Sequence, residues 1–137
     1  MKHDEPLILC VDDDPLYLKS LGRSLTGHGY RVRLCESASR ALEALASDRP
    51  ALALVDIMLP GMDGIELTGR LSHWEGGSIP VVLLTGLASE EAMYNGFSQG
   101  AHYLLEKSCE RGKIFDVVDY FAGDLKDEER RALKERL

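Results

Sequence analysis

The chain has 137 residues, 45% hydrophobic and 28% charged, which bounds it to one domain-sized soluble unit able to bury a proper core. Its net charge of −7, with Lys and Arg closely spaced only in a tail where Asp and Glu interleave them, argues against direct nucleic-acid binding. No apolar run approaches membrane-spanning length and Met1-Lys2-His3-Asp4-Glu5 does not read as a signal peptide, so a cytoplasmic protein without membrane contact is expected.

In chain order, the first strand candidate is Leu7–Val11. Asp12-Asp13-Asp14-Pro15 follows, and Asp14 before Pro15 reads as an N-cap and first helical residue. Leu18, Leu21 and Leu25 then share one helical face. After Gly27-His28-Gly29 comes a second strand, Arg31–Cys35, then a helical face of Ala38, Ala41, Leu42 and Leu45. Asp48-Arg49-Pro50 separates these from a third strand, Leu52–Val55.

Asp56 stands where that third apolar run ends, and a Pro60-Gly61 turn follows, with Asp63-Gly64 starting a less regular helix around Glu66–Leu71. Gly76-Gly77 leads to a fourth strand, Val81–Leu84, and then Thr85. The next helix, Glu90–Gln99, contains Gly96, which should weaken it by about 1 kcal/mol relative to alanine. Beyond Gly100 lie a short strand, Tyr103–Leu105, then Lys107, then a helix with Ile114, Val117, Val118 and Phe121 on one face. Composition shifts at Gly123. Residues 1–123 read as the folded domain, and 124–137 as a charged helical tail or the start of a linker helix, with Leu125, Leu133 and Leu137 its thin apolar stripe. Cys10, Cys35 and Cys109 have no metal-ligand spacing, and the first two are expected to be small buried thiols.

Strict alternation of strands and helices predicts a parallel sheet covered on both faces. In such sheets, sites form outside the carboxyl ends of the strands. Reading the residues there gives Asp12, Asp13 and Asp14 after the first strand, Asp56 after the third, Thr85 after the fourth and Lys107 after the fifth. Close carboxylates repel one another unless a cation joins them, and a hard divalent ion such as Mg2+ suits oxygen ligands. One such ion and the Lys107 ammonium would neutralise Asp12, Asp13 and Asp56. The site could then take an incoming phosphoryl group, with Thr85 and Lys107 on its oxygens and Asp56 as nucleophile.

These residues resemble the receiver domain of two-component response regulators. The matching pieces are Val11-Asp12-Asp13-Asp14, the run from Asp56 through Met58, Pro60, Met62 and Asp63 to Gly64, the stretch Pro80–Gly86 that contains Thr85, and Gly100-Ala101 followed by Lys107. The resemblance covers roughly residues 5–122. It implies a flavodoxin-like (βα)5 fold, doubly wound, with strand order 2-1-3-4-5 and here an extra charged C-terminal helix. It implies Asp56 as phosphoacceptor, Asp12, Asp13, Asp56 and the backbone carbonyl of Met58 around Mg2+, and Thr85 and Lys107 on the phosphoryl oxygens. The implied donor is a histidine kinase or a histidine phosphotransfer protein. The face of the fourth helix, fifth strand and fifth helix would transmit the signal, and that face or the tail helix could form a homodimer. Such a protein is a signalling phosphoacceptor that catalyses only its own phosphorylation and dephosphorylation.

Two positions depart from the family pattern. Ser108 stands where proline usually follows the lysine in a bond that is commonly cis; a non-proline cis bond costs about 2.5–4 kcal/mol, so a trans bond is expected. Leu104 stands where the family usually carries the Tyr or Phe that couples to the threonine, and Tyr103, one place earlier, should face the other side of the sheet. Two other readings are weighed. One is a receiver-like interaction module not controlled by phosphorylation. The other is a haloacid dehalogenase-type phosphatase with Asp12 as nucleophile, matched by Asp14, Thr85, Lys107 and the pair Asp124 and Asp127, which leaves Asp56 unexplained. His28, His73, His102, Trp74 and Tyr94 are read as packing or surface residues.

Overall fold

The computed structural model describes residues 5–137. Its sheet has five parallel strands, whose spatial order by position in the chain is 2-1-3-4-5. In chain order the elements are β1 (Leu7–Val11), α1 (Pro15–Gly27), β2 (Arg31–Cys35), α2 (Ala38–Ala44), β3 (Leu52–Asp56), α3 (Gly64–Ser72), β4 (Val81–Thr85), α4 (Glu90–Ser98), β5 (Tyr103–Glu106), α5 (Arg111–Ala122) and α6 (Asp127–Arg136). The flavodoxin-like architecture and strand order expected from the sequence are therefore present, with the extra C-terminal helix.

Period-two alternation divides the core between two faces. Leu9, Val11, Ala53, Val55, Val81 and Leu83 point to the face covered by α2 and α3, where Ala38, Ala41, Leu67 and Leu71 meet them. Ile8, Cys10, Leu52, Leu54, Val82 and Leu84 point the other way, against Leu18, Leu21 and Leu25 of α1 and Ile114, Val117 and Val118 of α5. The central strands β1, β3 and β4 are buried throughout, as parallel strands covered on both faces must be. Edge strand β2 is more open and exposes Arg33 and Leu34.

Three strands run one residue further than their apolar runs suggest. Asp56 pairs with Leu84, and Thr85 with Glu106, so β3, β4 and β5 end on the polar residues themselves. Backbone pairing, not side-chain character, decides where a ladder stops, and this places all three polar groups on rigid backbone.

Helix α4 buries Gly96 alone, because a Cβ there would lie 2.5 Å from Leu83 Cδ1. The conformational cost of this glycine thus serves a close approach of α4 to β4. Helix α6 folds back on α5. Its Leu133 is buried, Arg136 pairs with Asp116 at 3.2 Å, and Lys113 Nζ donates to the Arg136 carbonyl. Arg130 donates to the carbonyls of Tyr120 and Gly123. Cys10 and Cys35 are buried free thiols, as expected. Among the described residues no helix is long and apolar enough to cross a membrane.

Candidate functional site

The carboxyl ends of β1, β3, β4 and β5 meet at one edge of the sheet. Asp12 extends β1: its N–H donates to the Cys35 carbonyl at 3.1 Å, which fixes its side chain beside the central strands. Its Oδ1 accepts the Asp14 N–H at 2.9 Å. Asp14 caps α1, accepting from Leu16 and Tyr17, with Pro15 in the first helical position as read from the sequence. Asp13, between them, is exposed.

Asp56 ends β3, and its Oδ1 accepts the Met58 N–H at 3.2 Å. The loop then turns through Gly61, whose φ of +76° lies in the left-handed region that favours glycine. It returns at Gly64, whose N–H donates to the Ile57 carbonyl at 2.9 Å. Asp63 caps α3 there through the Glu66 N–H at 2.8 Å. A Cβ on Gly64 would fall 2.0 Å from the Asp56 carbonyl oxygen, so this glycine lets α3 start directly against the strand end. The shaping role read for Asp63-Gly64 thus has a steric cause.

Asp12 and Asp56 are 3% and 4% exposed, yet both are ionisable. Lys107 bridges them, with Nζ 2.7 Å from Asp12 Oδ2 and 3.1 Å from Asp56 Oδ2. Its backbone N–H donates to the Thr85 carbonyl at 2.7 Å, which ties the loop after β5 to the end of β4. Burial pushes the Asp56 carboxyl above its usual range and the Asp12 charge adds to this, while Lys107 and the Met58 N–H oppose it. Burial disfavours the Lys107 ammonium, but the two aspartates outweigh it and hold its pKa above the ordinary lysine value.

Thr85 is buried at the same edge, with its hydroxyl turned to its own loop: it donates to the Leu87 carbonyl at 3.3 Å and accepts the Leu87 N–H at 3.4 Å. Met58 meets Asp56 through its backbone, and its side chain is 74% exposed. No peptide bond among the described residues is cis, so Lys107–Ser108 is trans, as expected. Leu104 packs with the α2–α3 face and Tyr103 with the α1–α5 face, again as the alternation predicts. Asp124 and Asp127 lie in the connection to α6 and at its start, away from any strand end.

Sequence reading missed Tyr17, whose ring centroid lies 4.9 Å from Lys107 Nζ, and Arg111, whose Cζ lies 5.9 Å from the same ring. Tyr17 in the first turn after the acidic cluster was the available signal, but nothing in the sequence shows that the fifth strand's loop would reach it. His28, read as structural, caps the C-terminal end of α1, opposite the Asp14 end, where it pairs with Asp119 at 3.0 Å and stacks on Phe115.

The donor set suits a hard cation. Carboxylate oxygens of Asp12, Asp13 and Asp56 lie within 4.8 Å of one another, two of the residues are buried, and the third is open to solvent. A Mg2+ ion with one or two carboxylates, waters and phosphate oxygens needs such a half-open oxygen cluster.

The chain matches the family model described as the response regulator receiver domain over residues 8–119. It is 40% identical over 100 residues to the response regulator MprA of Mycobacterium ulcerans, and 39% identical to MprA of Mycobacterium tuberculosis; each match covers 73% of this chain and 43% of the relative. The chain thus spans less than half the length of the curated relatives it matches. Among solved structures, it is similar to a putative response regulator from Chloroflexus aurantiacus, with a TM-score of 0.81, 30% identity, and coverage of 86% of this chain and 98% of that one. The BeF3-activated receiver domain of Klebsiella pneumoniae RstA gives a TM-score of 0.77 at 32% identity, covering 85% and 97%. With fold, strand-end residues and relatives in agreement, the chain belongs to the receiver domains of two-component response regulators.

Proposed function

We propose that Asp56 accepts a phosphoryl group from a phosphohistidine, in a Mg2+-dependent transfer, and that this modification switches a protein-binding surface. The observation that carries the reading is the bridge from Lys107 to both Asp12 and Asp56, two buried carboxylates that share one ammonium. A buried carboxylate held by a single cation, with a third carboxylate at the rim, suits a group that exchanges partners during a reaction.

In the transfer, an Asp56 oxygen attacks phosphorus, the P–N bond to the donor imidazole breaks, and its electron pair returns to the ring. Lys107 then passes from the Asp56 carboxylate to a phosphoryl oxygen, so no charge is left unpaired. Thr85 leaves Leu87 to donate to a second oxygen. Asp12, Asp13, Asp56 and the Met58 carbonyl would hold Mg2+, which when bound supplies charge neutralisation at the phosphoryl group. In dephosphorylation water attacks phosphorus, the P–O bond to the Asp56 oxygen breaks, and inorganic phosphate leaves with the carboxylate restored. The chain therefore acts as a signalling phosphoacceptor that catalyses only its own modification.

A histidine kinase or histidine phosphotransfer protein is the donor on this reading, and the cytoplasm its setting. Residues 1–123 form the receiver and 124–137 a tail or the start of a linker. The face of α4, β5 and α5, or α6 itself, is the candidate dimer surface. The test is labelling by acetyl phosphate with Mg2+, read by intact mass. One phosphoryl group should add to the parent, none to Asp56→Asn, and none to the parent in EDTA. Labelling that persists in Asp56→Asn and disappears in Asp12→Asn would refute the assignment and favour an Asp12 nucleophile.

A further inference from the structure

The Lys107 ammonium has a third neighbour besides its two carboxylates. The Tyr17 ring centroid lies 4.9 Å from Nζ, within the range in which the negative face of an aromatic ring attracts a cation. We propose that Tyr17 is a positioning residue for Lys107: its ring supports the ammonium from the α1 side and keeps it aimed at the acyl-phosphate position on Asp56. This role rests on the phosphoacceptor reading above.

Three further observations support the ring, and not the hydroxyl, as the working part. The Tyr17 hydroxyl is buried without a hydrogen-bond partner among the described residues, so it orients nothing by hydrogen bonding. The Arg111 guanidinium stands 5.9 Å from the same ring, so one aromatic group lies close to two cations. Arg111 is itself anchored to α1 through Ser20 Oγ at 3.3 Å. Finally, the residue after Lys107 is Ser108, which is exposed and has no proline ring to stiffen the loop. The loop is tied by the Lys107 N–H to Thr85 and the Cys109 N–H to Glu106, which fix the backbone but not the long side chain. Beside the two carboxylates, the aromatic face is a third neighbour that restricts where the ammonium can sit.

Acetyl phosphate labelling rates of the full chain with Mg2+, read with NMR of the Lys107 ε-methylene protons, test the role. Tyr17→Phe keeps the ring and should label within about twofold of the parent, with the ε protons still shifted upfield by the ring. Tyr17→Leu keeps apolar bulk without the ring; labelling should slow about fivefold, the equivalent of ~1 kcal/mol, and the upfield shift should vanish. On a Lys107→Met background, exchanging Tyr17 for Leu should change the residual rate by less than twofold. An upfield shift absent from the parent, or a Leu variant as fast as the parent, would overturn the role. So would a Phe variant as slow as Leu, or an undiminished Leu effect on the Lys107→Met background. A parent that takes no label at all would instead overturn the phosphoacceptor reading, whereas a labelled parent with any of the preceding outcomes removes only the role of Tyr17.

Discussion

Replacing Gly64 by alanine adds one methyl group at the point where the end of β3 and the start of α3 touch. The added Cβ would lie 2.0 Å from the Asp56 carbonyl oxygen and 2.8 Å from both the Asp56 carbonyl carbon and Ile57 Cα. All three are backbone atoms of β3 and its loop, so no side-chain rotation can relieve the clash. Either α3 or the strand end must move by about an ångström or more, into a core whose neighbours Leu67 and Leu71 are fully buried. Overpacking of this kind costs about 1–3 kcal/mol, and the upper part of that range applies because only backbone can yield. Helix propensity works the other way, by under about 1 kcal/mol, so the net loss should be about 2 kcal/mol. With a urea slope of about 1–3 kcal/mol/M, the unfolding midpoint should fall by about 1 M. Gly112 supplies the control. It also lies in the first turn of a helix, α5, but a Cβ there meets nothing within 4 Å, so Gly112→Ala should be neutral or stabilising by up to ~1 kcal/mol. Gly64→Ala as stable as the parent, or both substitutions moving the midpoint alike, would refute the steric argument.

Because burial raises the Asp56 carboxyl above its free value, the native state binds its proton more tightly than the unfolded state. Stability from this group is present below the unfolded carboxylate pKa and declines as pH rises through the folded one. Asp56→Asn should therefore raise the melting temperature at pH 7 and the gain should shrink toward pH 4, as thermal melts across that range would show. Lys107→Met should do the opposite by leaving Asp12 and Asp56 facing each other; a loss of about 3 kcal/mol at pH 7 is expected, reduced by added Mg2+ in urea titrations. A loss indifferent to Mg2+ would separate the carboxylates from any cation site. Leu133→Ala removes the one buried side chain of α6 and should raise amide hydrogen exchange in residues 127–136 while leaving the central strands unchanged.

What could be read from the sequence was what repeats or stands at a boundary. Alternating apolar runs locate all five strands, and the strand-end rule collects Asp12, Asp56, Thr85 and Lys107 from the sequence. Strand ends were short by one residue at Asp56, Thr85 and Glu106, because apolarity marks burial while backbone pairing marks the ladder. Gly96 read as a weakness of α4, since propensity is local and the contact with Leu83 is not. Tyr17 escaped for the same reason. Its partner is ninety residues away, and only the return of β5 to the sheet brings the Lys107 side chain over its ring.

The same register bears on how a change at Asp56 could leave the site. Leu83 pairs with Leu104, and both face the α2–α3 side; Val82 pairs with Tyr103, and both face α1 and α5. Thr85 lies two residues beyond Leu83, so it shares the Leu104 side of the sheet, and the Tyr103 ring lies across the sheet from it. Tyr103 is held there by Phe121 and by Lys113, whose Nζ is 5.9 Å from the ring centroid. A threonine–aromatic relay of the usual kind would need that ring to pass through a paired strand, whereas Leu104 brings no aromatic group to the threonine. The Thr85 hydroxyl instead contacts Leu87, 77% exposed in the loop that leads into α4. Helix α4 buries only Gly96 and leaves Met93, Tyr94 and Phe97 open, so displacing it sacrifices less apolar burial than displacing α1 or α5. Movement of Thr85 therefore meets least resistance along its own loop toward α4, and not through β5.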